Sequence, residues 1–365
     1  MKVSIFYRLT TAYKIIGKNF NTWFSPIITA FVLAILKLVV FIGMFLDRIF
    51  YFRLNSYQLK KPIIIVGNPR SGTTFLHRYL IRNKIGMGGE LWKLLYPSII
   101  LQKLVKPFLP FLEKISPTRH HSTVAHKTSL QSIETDDASI FFRFFDGFFL
   151  YGFIMSWSEK DLFHWFDPKK RDMSKRDYKW LKSIWGRTLI SSNMDRYIGK
   201  LFSVSTNVPG FLKTFPDAKI LYMVRDPLSV IPSGLSLVTG VLDKRFGFWS
   251  LPEERRAHFI SRLYKALIEL QVRFVTDWNS GEIDREKVML VHFDDLMQNF
   301  DSLMGEIVVF VGHEPDSTML ADIEKTAKTQ REFKSKHEYD LSKFGLSEAQ
   351  IKKDAKIIYD TFFNE

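Results

Sequence analysis

The longest apolar run, Ile27 to Leu46, has one charge, Lys37, in 20 residues, and fourteen of the 20 are Ile, Leu, Val or Phe. On insertion scales those fourteen contribute roughly −4 to −8 kcal/mol together, against about +3 for a central Lys. The run therefore predicts a helix that spans or lies on a membrane, or else one packed against the body of the protein. Positive charges flank both ends about equally and give no orientation. Before it, residues 1–22 are basic and amphipathic, with Lys2, Arg8, Lys14 and Lys18 among aromatic and aliphatic residues. After it, residues 47–61 form a basic linker. Next comes Ile63-Ile64-Ile65-Val66, four β-branched residues in a row, as expected of a strand covered on both faces. Further strands are expected at 219–224 and 287–293, with a short one at 201–205. Helices are expected from Thr73 to about Asn83, in short pieces over 92–115, and over 171–200, 228–238, 253–278 and 347–363. This alternation predicts an α/β protein with a mainly parallel, helix-covered sheet. Ligands of such sheets bind at the carboxyl ends of the strands.

Composition narrows the partners. The 365 residues carry a net charge of +14, which favours a nucleotide, an acidic lipid or a nucleic acid. The charge is spread along the chain, and no zinc-finger or RNA-recognition pattern is present, so nucleic acid is not the expected partner. There is no cysteine, so thiolate chemistry and disulfides are ruled out, and a cytosolic, bacterial setting fits.

The strand at 63–66 runs into Gly67-Asn68-Pro69-Arg70-Ser71-Gly72-Thr73-Thr74. Pro69 cannot extend a ladder, and the two glycines permit a tight turn with close ligand approach. The hydroxyls of Ser71, Thr73 and Thr74 fall at a helix start, where unpaired N–H groups attract anions. Arg70 adds a forked cation suited to phosphate or sulfate. Gly67 and Gly72 have the spacing of a Walker A loop, but Thr73 stands where its Lys belongs. That argues against transfer of a γ-phosphate, although a kinase or NTPase remains the alternative reading. A second grip follows the strand at 219–224, where Arg225-Asp226-Pro227 precedes Ser233 by one helical stretch. The stretch Phe141 to Phe166 is rich in Phe, Tyr and Trp. It reads as helix core, as an apolar acceptor pocket or as a membrane-facing surface.

These motifs resemble those of the sulfotransferase superfamily. Residues 68–74 are similar to its 5′-phosphosulfate loop, and Arg225-Asp226-Pro227 with Ser233 to its 3′-phosphate motif. Phe215-Pro216-Asp217-Ala218-Lys219 and Phe293-Asp294-Asp295-Leu296 also resemble family segments. The tail, Lys334-Ser335-Lys336-His337 and Phe344-Gly345-Leu346, is similar to the membrane-associated and bacterial branch. The chain is expected to divide into a membrane-associated helical segment, 1–60, which holds the N-terminal hydrophobic helix, and a sulfotransferase domain, 61–365, with a helical acceptor-side insertion at 92–200. The resemblance, which runs from about residue 61, implies a P-loop-like three-layer α/β fold with a central, mainly parallel sheet. It implies PAPS (3′-phosphoadenylyl sulfate) as sulfuryl donor and PAP as product, with no metal required. The acceptor is expected to be a hydroxyl, on a lipid or another apolar alcohol, at the cytoplasmic side of a membrane. A non-catalytic membrane-binding relative is the other alternative.

On this reading Arg70, Ser71, Gly72, Thr73 and Thr74 hold the 5′-phosphosulfate, and Arg225 and Ser233 the 3′-phosphate. The catalytic base is expected to be Glu90, twenty residues after Arg70, with His120 and His121 as second choices. The acidic group Glu134, Asp136 and Asp137 is a third, and Lys334 and Lys336 are candidates to close over the phosphates.

Overall fold

The computed structural model describes residues 3–116, 129–332 and 340–363. The chain divides into two units, interleaved in sequence. The loop-bearing unit comprises Lys60–Gly88, Arg196–Gly234 and Leu267–Glu365. The N-terminal unit comprises Met1–Leu59, Gly89–Asp195 and Leu235–Ala266.

The loop-bearing unit holds a four-stranded, all-parallel sheet. Its strands are β1 (Ile63–Val66), β2 (Ile198–Lys200), β3 (Lys219–Val224) and β4 (Val288–His292). The order is β2-β1-β3-β4, with Ile65 opposite Lys200 on one side and Leu221 on the other. All four residues of β1 are buried, as two-sided cover requires of an unbroken β-branched run. Ile63 and Ile65 pack with Leu76, Leu80, Ile198, Met223, Val291, Phe300 and Met304. Tyr222 of β3 stacks on Phe274, with ring centroids 3.3 Å apart.

The region around β2 differs from the sequence expectation. The helix expected over 171–200 ends at Ser192, because Asn193 takes a left-handed conformation (φ 54°) and closes it. Residues 198–200 are the strand, and the segment expected to be one, 201–205, contains a 3₁₀ turn at Ser203–Thr206. Three residues with a central glycine carry no readable period. This strand is specified by its pairing with β1.

In the N-terminal unit, helix α1 (Ile5–Phe20) is capped by Ser4 Oγ, which accepts from Tyr7 N–H at 3.1 Å. Arg8 of this helix is buried. Its guanidinium donates to the carbonyls of Val3 (2.6 Å), Phe145 (2.9 Å) and Phe144 (3.0 Å), and its Nη2 lies 3.4 Å from Asp146. Helix α2 (Phe24–Phe50) outruns the apolar stretch at both ends. Only Val40, Gly43 and Asp47 of α2 are buried. The Asp47 carboxylate accepts from Ser98 Oγ, from the amides of Ile99 and Ile100, each at 3.0 Å, and from Arg187 Nε at 2.8 Å. Lys37 lines a small cavity with Ser139, Phe142, Arg143 and Trp180, so the one charge of the apolar run is turned toward protein.

Large apolar side chains stand exposed along α2 from Phe24 to Phe50, and again at Leu104, Phe108, Phe111 and Ile115. The stretch Phe141 to Phe166 contributes none of them. Leu150, Tyr151, Trp157 and Trp165 are buried there, and Trp157 stacks on Phe259 at 4.3 Å. Tyr151, Trp157 and Trp165 serve as core, the phenylalanines of the stretch are half-buried, and the exposed large apolar side chains concentrate on α2 and the 99–115 helices.

Candidate functional site

The candidate site is built at the carboxyl ends of β1, β2 and β3. After Val66 the chain turns through Gly67 (φ 143°) and Gly72 (φ 89°), and a Cβ at Gly72 would meet Leu296 and Phe293 at 3.1 Å. A side chain at either glycine is therefore strained or crowded. Ser71 Oγ donates to the Asn68 carbonyl at 2.7 Å, and Asn68 Nδ2 donates to the Leu267 carbonyl at 2.9 Å. Both buried side chains thus fix the turn. The helix Thr73–Arg82 starts directly at Gly72, and among the described residues no side chain caps it. Its leading N–H groups have no intrahelical acceptor and face the space an anion would take.

Arg70 is held in a left-handed conformation (φ 79°), uncommon for a residue with a Cβ. Contacts on both its side chain and its backbone hold it. Its Nε donates to Ser233 Oγ at 3.0 Å, and its carbonyl accepts from Arg225 Nη1 at 2.6 Å. Arg225 in turn lies over the Phe293 ring, 3.8 Å from its centroid. Asp226 accepts from Leu228 N–H (2.9 Å) at the start of the helix Pro227–Phe246, and from the Tyr359 hydroxyl (2.6 Å). The two motifs recognised separately in the sequence are therefore one bonded cluster of two arginines and a serine.

Sequence reasoning missed a third cation. Lys200 ends β2, is buried, and donates from Nζ to Thr74 Oγ1 at 3.1 Å. The available signal was a lone Lys inside the apolar segment Tyr197 to Phe202, since a Lys is almost never buried without a task or partner. Thr74 is the acceptor of this ammonium, and Thr73 is buried at the helix start.

Glu90 belongs to the N-terminal unit, where it precedes the helix Leu91–Leu95. It is half-buried. Its carboxylate accepts from the Trp92 indole N–H and lies 3.4 Å from Lys93 Nζ. Of the acidic group in the same unit, Asp136 is fully buried and accepts from Trp185 Nε1 at 2.9 Å. Glu134 Oε1 accepts from Ser132 Oγ at 3.0 Å, and Asp137 Oδ2 from Thr135 Oγ1 at 2.8 Å. These bonds give all three a structural use. His120, His121, Lys334 and Lys336 lie outside the described residues.

The residues present fit a ligand bearing phosphate and sulfate. The two glycines let the turn close tightly against Met223, Leu296 and Phe293, an uncapped helix begins at Gly72, and Arg70, Lys200 and Arg225 all make contacts at this loop. The fold is that of two solved bacterial proteins. The crystal structure of sulfotransferase STF1 from Mycobacterium tuberculosis H37Rv is similar at a TM-score of 0.70 and 17% identity, over 96% of this chain and 90% of that one. Sulfotransferase STF9 from Mycobacterium avium is similar at a TM-score of 0.64 and 16% identity, over 88% of this chain and 81% of that one. At these identities the likeness is one of fold. No curated protein matches the chain. Residues 62–317 match the model of the sulfotransferase family, a range that includes Arg70, Lys200, Arg225, Ser233 and the four strands described, and the chain belongs to that family.

Proposed function

We propose that the chain transfers a sulfuryl group from PAPS to the hydroxyl of an apolar alcohol at a membrane surface. The observation that carries this reading is the bonded cluster at the strand ends, in which Arg225 and Ser233 both touch Arg70 while Lys200 touches Thr74. One phosphate site would suffice for a simple anion. Two grips joined in one cluster suit a nucleotide with separate 5′ and 3′ anionic groups.

PAPS, when bound, supplies a sulfuryl group on a phosphate leaving group. The chain's own residues do the rest. The amides of Gly72, Thr73 and Thr74, with the Arg70 guanidinium, bind the 5′ end. Arg225 and Ser233 bind the 3′-phosphate. Lys200, oriented by Thr74, keeps a desolvated positive charge at the loop, where it is worth more than in water. Glu90 is the proposed base that takes the acceptor's proton, with Trp92 and Lys93 orienting its carboxylate. The membrane location is supported by the exposed apolar faces of α2 and the 99–115 helices.

The direct test is transfer of labelled sulfuryl from PAPS to alcohols in a lipid extract by the detergent-purified protein. Transfer abolished by Arg70→Ala and Arg225→Ala is expected. A wild-type protein that labels no acceptor and also fails to bind PAP sinks the proposal.

A further inference from the structure

A cavity of about 180 Å³ opens in the N-terminal unit where α2 ends. Arg48, in the last turn of α2, forms one wall. Lys179, Lys182, Ser183 and Gly186 form the opposite wall. Their spacing of three and four residues places them on one stripe of the helix Ser174–Ser192. Asn55 and Tyr57, just after α2, complete the rim.

The lining is strongly cationic. Arg187 also reaches the cavity, but its charge is matched by Asp47 at 2.8 Å and its other N–H groups go to Ser183 and Met44. Arg48, Lys179 and Lys182 have no carboxylate within ion-pair distance among the described residues. All three are exposed at the mouth. Three cations around one concavity repel one another unless an anion enters.

The position of the cavity tells which anion. Phe41, Ile42, Phe45, Ile49 and Phe50 are exposed on the last turns of α2, and the cationic wall begins at Arg48 among them. In a bilayer the end of such a helix lies at the level of the lipid headgroups. We propose that this cavity binds the headgroup phosphate of an anionic phospholipid lying beside α2. Arg48, Lys179 and Lys182 neutralise the phosphate, and Asn55 and Ser183 offer polar contacts to the headgroup. The inference rests on the membrane reading of α2 and is independent of sulfuryl transfer.

The test uses the full chain in a neutral detergent, with native mass spectrometry to count retained lipid and thermal unfolding to measure stabilisation. The probes are phosphatidylglycerol, phosphatidylcholine and inorganic phosphate. Wild-type protein should retain one phosphatidylglycerol in preference to phosphatidylcholine and unfold at a higher temperature with it. Arg48→Ala/Lys179→Ala/Lys182→Ala should weaken that retention on the order of a hundredfold. Asn55→Trp fills the cavity from an exposed position without changing charge and should also remove the preference. Equal retention of both lipids by the wild type overturns the site. So does an Asn55→Trp protein that keeps the preference, since attraction is then diffuse. If inorganic phosphate alone gives the full stabilisation and phosphatidylglycerol adds nothing, the ligand is a soluble phosphate and the lipid assignment falls. Flotation with phosphatidylcholine vesicles separates the two levels. Protein that floats yet lacks the preference loses only the site, whereas protein that never floats overturns the membrane reading as well.

Discussion

Arg225 donates through Nη1 to the carbonyl oxygen of Arg70, at 2.6 Å. This bond joins two motifs 155 residues apart and holds Arg70 in its left-handed backbone conformation. The guanidinium of Arg225 thus stabilises the shape of the first loop as well as carrying charge to the site.

Two substitutions at Arg70 separate backbone from side chain. Both Arg70→Gly and Arg70→Ala lose the guanidinium and should weaken PAP binding about tenfold to a hundredfold, the range of a charge-assisted hydrogen bond. Glycine accepts φ 79° without strain, so Arg70→Gly should be the more stable of the two by about 1 kcal/mol. Equal melting temperatures would show that the loop relaxes when the side chain is removed.

Lys200 and Glu90 should affect turnover more than affinity. Lys200→Met and Glu90→Gln are each expected to lower kcat by about a hundredfold or more, while PAP affinity changes by less than about tenfold. Single-turnover transfer and PAP titration on the same samples read the two effects apart. If Glu90→Gln keeps near-full turnover, the base is another group, and His120 and His121 are the next to test.

Asp47 fastens α2 to the rest of its unit. Asp47→Ala leaves the Arg187 guanidinium buried beside no carboxylate, and should destabilise by about 3–5 kcal/mol. Combining it with Arg187→Met should recover much of that loss, because the uncompensated charge is then gone. Thermal unfolding in detergent checks both. A double variant no better than Asp47→Ala would place the stabilisation in the amide contacts at Ile99 and Ile100.

The charged cluster around Asp146 gives a pH dependence of mixed sign. Burial pushes the Asp146 carboxyl up, but the Arg171 hydrogen bond and the charges of Arg8, Arg171 and Arg176 outweigh it and leave it below its ordinary value. Its stabilisation is lost as pH falls. Asp177 goes the other way. Burial raises it to about 6, against the pull of Arg176. The folded chain then holds a proton that the unfolded chain releases, so this contribution is complete below about pH 4 and lost as pH rises through 6. Asp177→Asn should therefore stabilise the protein at pH 7 by about 1–3 kcal/mol, with the gain vanishing near pH 4. A gain that is the same at both pH values would mean that Asp177 titrates normally.

Much of this site was legible because its signals are local. The β-branched run of β1, the glycines and Arg70, and the segment from Lys219 to Pro227 each lie in one short stretch whose residue types dictate its conformation. Lys200 was hidden because β2 has three residues and exists through pairing with Ile63 to Ile65. The same non-locality hid the contact of Arg70 with Ser233, 163 positions away. The aromatic stretch showed another limit. Its composition suited a core and a surface equally, and the structure divides it, with Tyr151, Trp157 and Trp165 buried and the phenylalanines half-buried. Lys37 counted only as a cost to the apolar run and Asp47 only as the start of a basic linker, yet both face protein.

The central claim is that the cluster binds a nucleotide through separate 5′ and 3′ anionic groups. Thermal unfolding with PAP, ATP and GTP, each with and without Mg²⁺, tests it without knowledge of the acceptor. PAP at a hundredfold excess over its dissociation constant should stabilise the protein by about 2.7 kcal/mol, with no requirement for Mg²⁺. ATP and GTP should give little or no shift, and Arg225→Ala should abolish the PAP response. Stabilisation by ATP with Mg²⁺ that equals or exceeds the effect of PAP would contradict the account.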